Sequence, residues 1–489
     1  MAAKGAALLA RPVRPRRIAA CFAALSPSLA LAPGVPVPVA VLFRDWETAV
    51  RCAVPAVLLL AFWALGRRWA WLTIRDVRRN EALLVSGLSF IVASATLAWP
   101  LKPDGVPWDA AFFEAVSAIT STGLSVFPEP AIHGPALLFV RAWGQWYGGL
   151  AILVLALSLT VRPGVFARRL GQMEAAEGDF IGGTRARAKR VLGIYGALTV
   201  ACVAALWPFT GSGWEALLHG LTAVSTAGFS SHGDSLAGWD WPARVIITVF
   251  SVAGAVSLLF WWRLRKDGPG HVLADREALT LVGLILAGAL LMTLLNASWR
   301  GLGLQGLNLE SFGEALFLSA SAQSTTGFAT LPPAEMAPAA QLVLIAQMMI
   351  GADVGSTGGG LKVARLLVLV AIVRHALLAT ALPGHAVARP RTRGGPVTES
   401  ASETAMLLAL LYGATVLVAW GVLLAADVPP LAGLFEVVSA ASTVGLSAGV
   451  SGMDAAVSVK TTLMICMLLG RVEFLALLIA LAPRTWKGG

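Results

Sequence analysis

The chain has 489 residues, of which 57% are hydrophobic and 13% charged, with a formal net charge of +10. A soluble globular chain carries about 25% charged residues. These proportions exclude a soluble cytoplasmic enzyme, a secreted disulfide scaffold and a disordered tail, and point to a polytopic membrane protein. The basic surplus is not read as a nucleic-acid footprint. Lys and Arg sit in short connections between apolar stretches, where they set membrane orientation.

Arg11, Arg14, Arg16 and Arg17 precede the first apolar stretch. Ala30-Leu31-Ala32 fits a cleavage site, so a signal peptide is one reading. The preferred reading is an uncleaved membrane helix over about 17–43, interrupted by prolines. A second apolar stretch covers 50–65, and Arg67, Arg68, Arg75, Arg78 and Arg79 follow. Together these form an N-terminal pair of membrane helices within residues 1–80.

One pattern then recurs four times, over 81–165, 186–266, 276–376 and 400–489. Each unit predicts a spanning helix, a short amphipathic stretch ending in Ser/Thr and Gly, and another spanning helix. The first helices are expected near 82–99, 190–208, 278–295 and 405–426. The last are expected near 137–161, 243–263, 341–374 and 456–482. The short stretches read FFEAVSAITSTGLS, LLHGLTAVSTAGFS, LFLSASAQSTTGFA and LFEVVSAASTVGLS. They align on Gly123, Gly228, Gly327 and Gly445. Before these glycines stand Ser121-Thr122, Thr226-Ala227, Thr325-Thr326 and Thr443-Val444.

Basic residues fill the connections between units, including Arg162, Arg168 and Arg169, then Arg263, Arg265 and Lys266, then Arg374, Arg389 and Arg391. The positive-inside rule places all of these in the cytoplasm. Each unit therefore crosses the membrane twice. Its middle stretch, about 13 residues before the glycine, reaches roughly 20 Å as a helix, too little for a crossing. It is expected to be a re-entrant half-helix. The fold class is thus an all-α membrane protein of about 10 membrane helices, with four parallel helix–half-helix–helix repeats around a central pore.

Half-helices aimed at a common axis present the negative ends of their dipoles, which favour a cation. The Ser/Thr-Gly segments are non-helical backbone at membrane depth, tolerated when buried in protein or lining a wet cavity. Rings of their carbonyls would replace a cation's water shell. One copy alone would be ordinary small-residue helix packing; four copies in register favour the ring.

The last helix of the third unit is interrupted by GADVGSTGGGLK, over 351–362. Gly355, Ser356, Thr357, Gly358, Gly359 and Gly360 cannot hold a straight helix. The segment is either a gate below the ring or a kink for packing. Lys362 and Arg471 are basic residues at this depth and functional candidates by position. Arg471 is placed to donate to the loop's carbonyls and hold it shut. Glu114 aligns with Glu436, and Glu215 with Glu314; all four are read as complements to the half-helix dipole. Glu473 is read as pairing with a base on the cytoplasmic side. Trp143 and Trp146 are read as interface anchors. GSTGGGLK lacks the Gly-Lys-Ser/Thr ending of a phosphate loop, so no nucleotide is assigned to this chain. Cys21, Cys52, Cys202 and Cys466 show no metal-site or disulfide spacing. His219 lacks an evident catalytic partner, and no enzyme is inferred.

The fourfold pattern with STGLS, STAGFS, TTGFAT and STVGLS, the loop GSTGGGLKVAR, the stretch QWYGGLAILVLA and the closing MLLGRVEF…LAPRTW resemble the Trk/Ktr/HKT potassium-uptake superfamily, in its bacterial TrkH-type branch. The resemblance implies that the four glycines are selectivity-filter glycines with potassium as the transported ion. Glycine at 123, where serine goes with sodium transport in the plant branch, favours potassium. It also implies that 355–360 form an intramembrane gating loop contacted by Arg471. A homodimer in the lipid of the bacterial inner membrane is expected, with both termini cytoplasmic. So are cytoplasmic RCK/KTN (TrkA-type) subunits that carry the nucleotide. Asp353 stands where the family's loop has small neutral residues, and either pairs with Lys362 or alters gating. The alternative function is an ion-coupled secondary transporter with a midplane site at the broken helix, although such folds usually show inverted repeats.

Overall fold

The computed structural model describes residues 12–73, 77–160, 184–268, 270, 275–302, 306–381, 389–392 and 395–472. The expected first membrane helix is a chain of three, α1 (Pro15–Leu29), α2 (Leu31–Gly34) and α3 (Pro36–Leu42). Four prolines, Pro27, Pro33, Pro36 and Pro38, remove backbone donors along it. All three pack against α4 (Trp46–Thr73). Arg14, just before α1, donates from Nε to Glu81 at 2.8 Å, which ties this pair to the first repeat.

Four helical units follow. The first comprises α5 (Arg79–Ala98), half-helix α6 (Trp108–Ile119) and α7 (Gly134–Thr160). The second comprises α8 (Thr184–Thr210), half-helix α9 (Gly213–Val224) and a bent pair, α10 (Trp241–Ala255) and α11 (Leu258–Asp267). The third comprises α12 (Arg276–Trp299), half-helix α13 (Leu309–Ser324), α14 (Pro338–Ile350) and α15 (Val363–Ala379). The fourth comprises α16 (Glu399–Ala425), half-helix α17 (Pro430–Ala441) and α18 (Val457–Arg471). A two-residue hairpin, Arg391–Thr392 with Gly395–Pro396, precedes α16. Among the described residues, seven helical spans are long and apolar enough to cross a membrane, and α10 with α11 would make an eighth.

The half-helices lie inside the protein. Phe113, Glu114, Ala115 and every later residue of α6 are buried, and α9, α13 and α17 match it at their C-terminal ends. Each half-helix packs against the inner helix of its own repeat and against that of the preceding one. Thus α7 meets α9, α10 meets α13, α14 meets α17, and α18 returns to α6. The four units close a ring in chain order.

Glycines let inner helices and half-helices touch backbone to backbone. A Cβ at Gly148 would overlap the carbonyl of Ile119, one at Gly254 that of Val224, and one at Gly470 that of Ala441. Trp143 and Trp146 on the first inner helix bond to neighbouring helices. The Trp143 indole donates to Leu31 O at 3.0 Å, the Trp146 indole to Thr199 Oγ1 at 3.0 Å.

The inner helix of the second repeat departs from expectation. The sequence predicts one helix over 243–263, whereas the chain turns by 93° between Ala255 and Leu258. Val256 is extended at the turn. The carbonyls that the turn frees, Gly254 O and Ala255 O, accept from Thr357 N at 3.2 Å and Asp353 N at 3.0 Å. A partner from another repeat therefore compensates this break. Arg162, Arg168, Arg169, Glu473 and the LAPRTW segment lie outside the described residues.

Gly148→Val should lower the protein's unfolding free energy by about 1–3 kcal/mol, since the added volume meets backbone that cannot withdraw. Gly413→Ala, with open space around it, should leave stability unchanged. Thermal denaturation of the two purified variants in detergent checks this; equal midpoints would contradict the backbone contact.

Candidate functional site

Each half-helix ends in the same way. Thr122 N donates to Ser117 O at 2.9 Å, Ala227 N to Thr222 O at 3.0 Å, Thr326 N to Ser321 O at 2.9 Å and Val444 N to Ser439 O at 2.9 Å. Ser121, Thr226, Thr325 and Thr443 N donate to the carbonyls three residues back. This is a Schellman cap, which requires a left-handed residue and usually uses glycine. Here the residue is Ser or Thr, at φ 48, 49, 58 and 50. A β-branched residue in that region is strained, and such strain marks functional sites held by their surroundings.

Gly123, Gly228, Gly327 and Gly445 follow two residues later, at φ 93, 70, 87 and 96. A Cβ on Gly123 would overlap Ala227 O; on Gly228, Thr326 O; on Gly327, Val444 O; and on Gly445, Thr122 O. The four segments thus stand edge to edge in a closed ring, each glycine against the carbonyl of the next repeat. No other residue fits, for reasons of φ and of space. The hydroxyls before the glycines turn back into their own repeats. Thr122 Oγ1 bonds Thr120 Oγ1 and Thr326 Oγ1 bonds Ser324 Oγ, both at 2.7 Å. Ala227 and Val444 are fully buried at the matching positions.

The carboxylates have a role that the dipole reading missed. Glu114 accepts from Ser125 Oγ at 2.9 Å and Val126 N at 3.1 Å; Glu436 accepts from Ser447 Oγ and Ala448 N, both at 2.9 Å. Each thereby holds the segment just after its glycine. In the middle repeats the brace comes from earlier in the half-helix. Glu215 accepts from Ser231 Oγ at 2.6 Å, and Glu314 accepts from Thr330 Oγ1. His219 occupies the place of Glu114 in the second repeat and does have partners. Its Nε2 lies 3.1 Å from Ser230 Oγ and its Nδ1 3.0 Å from Glu215 O.

Charged side chains tie neighbouring repeats. Arg141, buried with Glu114, pairs with it at 2.7 Å, donates to Ser230 O of the next repeat at 2.8 Å and lies over the Phe229 ring. Arg244 pairs with Glu314 at 2.6 Å, and Lys460 with Asp109 at 2.7 Å. These ties were not legible in the sequence, because each joins residues from different repeats. One carboxamide acts similarly: Gln145 bonds the second segment, whereas Gln323 donates to Gly351 O at 2.6 Å within its own repeat.

The 351–362 loop lies directly beneath the ring. Thr357 Oγ1 is 3.1 Å from Thr226 Oγ1, and Gly359 N donates to Thr325 Oγ1 at 2.8 Å. A Cβ on Gly358 would crowd Thr325 Oγ1 and Ser324 O, and one on Gly359 would overlap Ser442 O and Thr443 Oγ1. Gly355 O accepts from Leu258 N at 3.1 Å, and Ser356 Oγ donates to Asp353 O at 2.6 Å. Gly360 is left-handed at φ 75 and packs on Gly351. Lys362 Nζ reaches Gly358 O within the loop. Arg471 donates from Nη1 to Thr357 O at 2.8 Å and from Nη2 to Gly148 O at 3.3 Å. Asp353 is buried beside the start of α11.

The sequence-predicted ring residues and loop residues therefore meet at one place, at the centre of a fourfold membrane fold. Among the described residues there is no group of His, Cys, Asp or Glu able to hold a resident metal ion.

Such an arrangement defines an integral membrane protein built around a central backbone ring with a loop packed beneath it. Residues 89–487 match the TrkH family, described as cation transport proteins, and the chain belongs to that family. It is 26% identical over 492 residues to the Trk system potassium uptake protein TrkH of Vibrio parahaemolyticus, covering 96% of this chain and 98% of that one. It is 27% identical over 438 residues to TrkH of Escherichia coli, covering 84% and 87%. The crystal structure of the potassium transporter TrkH from Vibrio parahaemolyticus superposes with a TM-score of 0.84 at 25% identity, covering 97% of this chain and all of that one.

Arg141→Met would leave Glu114 buried without its cation and should destabilise the protein by about 3–5 kcal/mol. Combining it with Glu114→Gln should recover part of that loss. A double-mutant cycle from thermal denaturation tests this, and additive effects would contradict a coupled pair.

Proposed function

We propose that this chain takes up potassium across the bacterial inner membrane through a selectivity filter. The filter is built by Ser121-Thr122-Gly123, Thr226-Ala227-Gly228, Thr325-Thr326-Gly327 and Thr443-Val444-Gly445. The observation that carries this reading is the closed ring of four glycines, each against the next repeat's carbonyl. Two further features support it. Ser121 Oγ and Thr443 Oγ1 are buried at the ring with no hydrogen-bond partner in the protein, as expected of oxygens that serve a cation. Four half-helix C-termini converge there with their partial negative charge. The units 81–165, 186–266, 276–376 and 400–489 act as the pore repeats, behind the N-terminal pair within 1–80. The relatives named above are potassium uptake proteins.

In this reading the ion sheds water for backbone oxygens and moves down its electrochemical gradient. A potential of 100 mV supplies about 2.3 kcal/mol per charge. Gly355, Ser356, Thr357, Gly358, Gly359, Gly360 and Lys362 form the gate, and Arg471 latches it through the Thr357 carbonyl. The chain works as a homodimer with both termini in the cytoplasm. Cytoplasmic RCK/KTN (TrkA-type) subunits bind the nucleotide and move the loop.

Expression in a bacterium lacking potassium uptake should restore growth at limiting potassium and rubidium uptake, with the TrkA-type partner supplied where needed. Gly123→Ser should abolish uptake or shift it toward sodium. Silence of the wild type, with protein present in the membrane, would reject the potassium reading in favour of an ion-coupled transporter. Arg471→Ala should raise basal rubidium flux several-fold in the absence of the regulator. A lower flux would show that Arg471 supports the open state instead.

A further inference from the structure

Gln145, on α7 of the first repeat, is fully buried and makes no bond to its own repeat's segment. Its Nε2 donates to Ala227 O at 2.6 Å, and its Oε1 accepts from Phe229 N at 3.1 Å. One carboxamide thus clasps both sides of Gly228, as a neighbouring strand would. Ala227 O is the same oxygen that Gly123 faces in the ring. Gln145 therefore sets the contact between the first and second segments from behind.

The ring is not clasped in this way throughout. Gln145 stands three residues before Gly148, whose missing side chain admits Ile119 O. The same offset from Gly254 and Gly470, which admit Val224 O and Ala441 O, gives Ser251 and Met467. Ser251 Oγ is buried without a partner, and Met467 offers no amide. In the third repeat, Gln347 turns instead to Ser319 Oγ at 2.8 Å and Leu284 O. Among the described residues, only the second segment is bonded by one side chain on both sides of its glycine.

We propose that Gln145 is a positioning residue that sets the ring's preference for potassium over sodium, an inference resting on the filter reading above. A ring of carbonyls discriminates between cations only as far as its oxygens resist closing on the smaller ion. Holding the Ala227 carbonyl and the Phe229 amide restrains the peptides on either side of Gly228. Without the clasp, Ala227 O is free to follow a smaller cation inward.

The test is rubidium uptake by cells expressing the full chain, with potassium or sodium as competitor. The readout is the ratio of the two half-inhibitory concentrations. Gln145→Met, close in volume and without an amide, should cut the preference for potassium about tenfold, as expected for two lost hydrogen bonds. Gln145→Glu keeps the acceptor for Phe229 N but loses donation to Ala227 O, and should lose preference likewise. Gln145→Asn, one methylene short, serves where the methionine variant fails to accumulate. Wild-type preference in accumulated variants would overturn the inference while leaving the filter reading intact. Failure of all three to accumulate would overturn it too, making Gln145 a folding residue. A wild type that takes up no rubidium would overturn the filter reading itself.

Discussion

The structure depends on one steric constraint: four backbone segments must meet edge to edge at the centre of a membrane protein. Each glycine there accepts the carbonyl of the next repeat where a side chain would otherwise stand. This contact works only if all four half-helices stop at the same depth and turn in the same way. The Schellman caps provide that turn, with Ser or Thr forced into the left-handed region at Ser121, Thr226, Thr325 and Thr443. The strain is local, while the forces that oppose it come from the surroundings.

Those forces are arranged in layers. Carboxylates on the half-helices hold the chain beyond the glycines, from Glu114 and Glu436 in the outer repeats and from Glu215 and Glu314 in the middle ones. Inner helices meet the half-helices through Gly148, Gly254 and Gly470, so the support stands at backbone distance. Two ion pairs, Arg244–Glu314 and Lys460–Asp109, and the Arg141 bond to Ser230 O then join one repeat to the next. In an apolar medium each buried polar group needs a partner, so these bonds specify the arrangement as well as stabilise it.

The loop beneath the ring uses the same chemistry. It takes up the carbonyls freed where the second repeat's inner helix bends, and it meets the ring through Thr226, Thr325 and Thr443. Thr357 is central, with its N–H on Gly254, its hydroxyl near Thr226 and its carbonyl on Arg471. Displacement of the loop would therefore disturb the second repeat and the fourth together. The ring and the loop beneath it are thus a single hydrogen-bonded unit.

The repeats, the half-helices, the ring glycines and the broken third inner helix were all legible from the sequence. They rest on local signals: apolar length, small-residue motifs in register, and glycines too many for a helix. The family resemblance came from the same residues. The bend at Ala255 was not legible, because VAGAVSLLF holds no proline and only a distant loop supplies partners for the freed carbonyls. The brace formed by the carboxylates was hidden too, since a glutamate on a short helix reads first as a dipole complement. Gln145 sat in a motif of the first inner helix, but its bonds are to a segment 82 and 84 residues away. Periodicity and composition determine which segments cross the membrane and which stop halfway. Only the closed tertiary ring decides which buried polar groups meet across it, because those partners stand in different repeats.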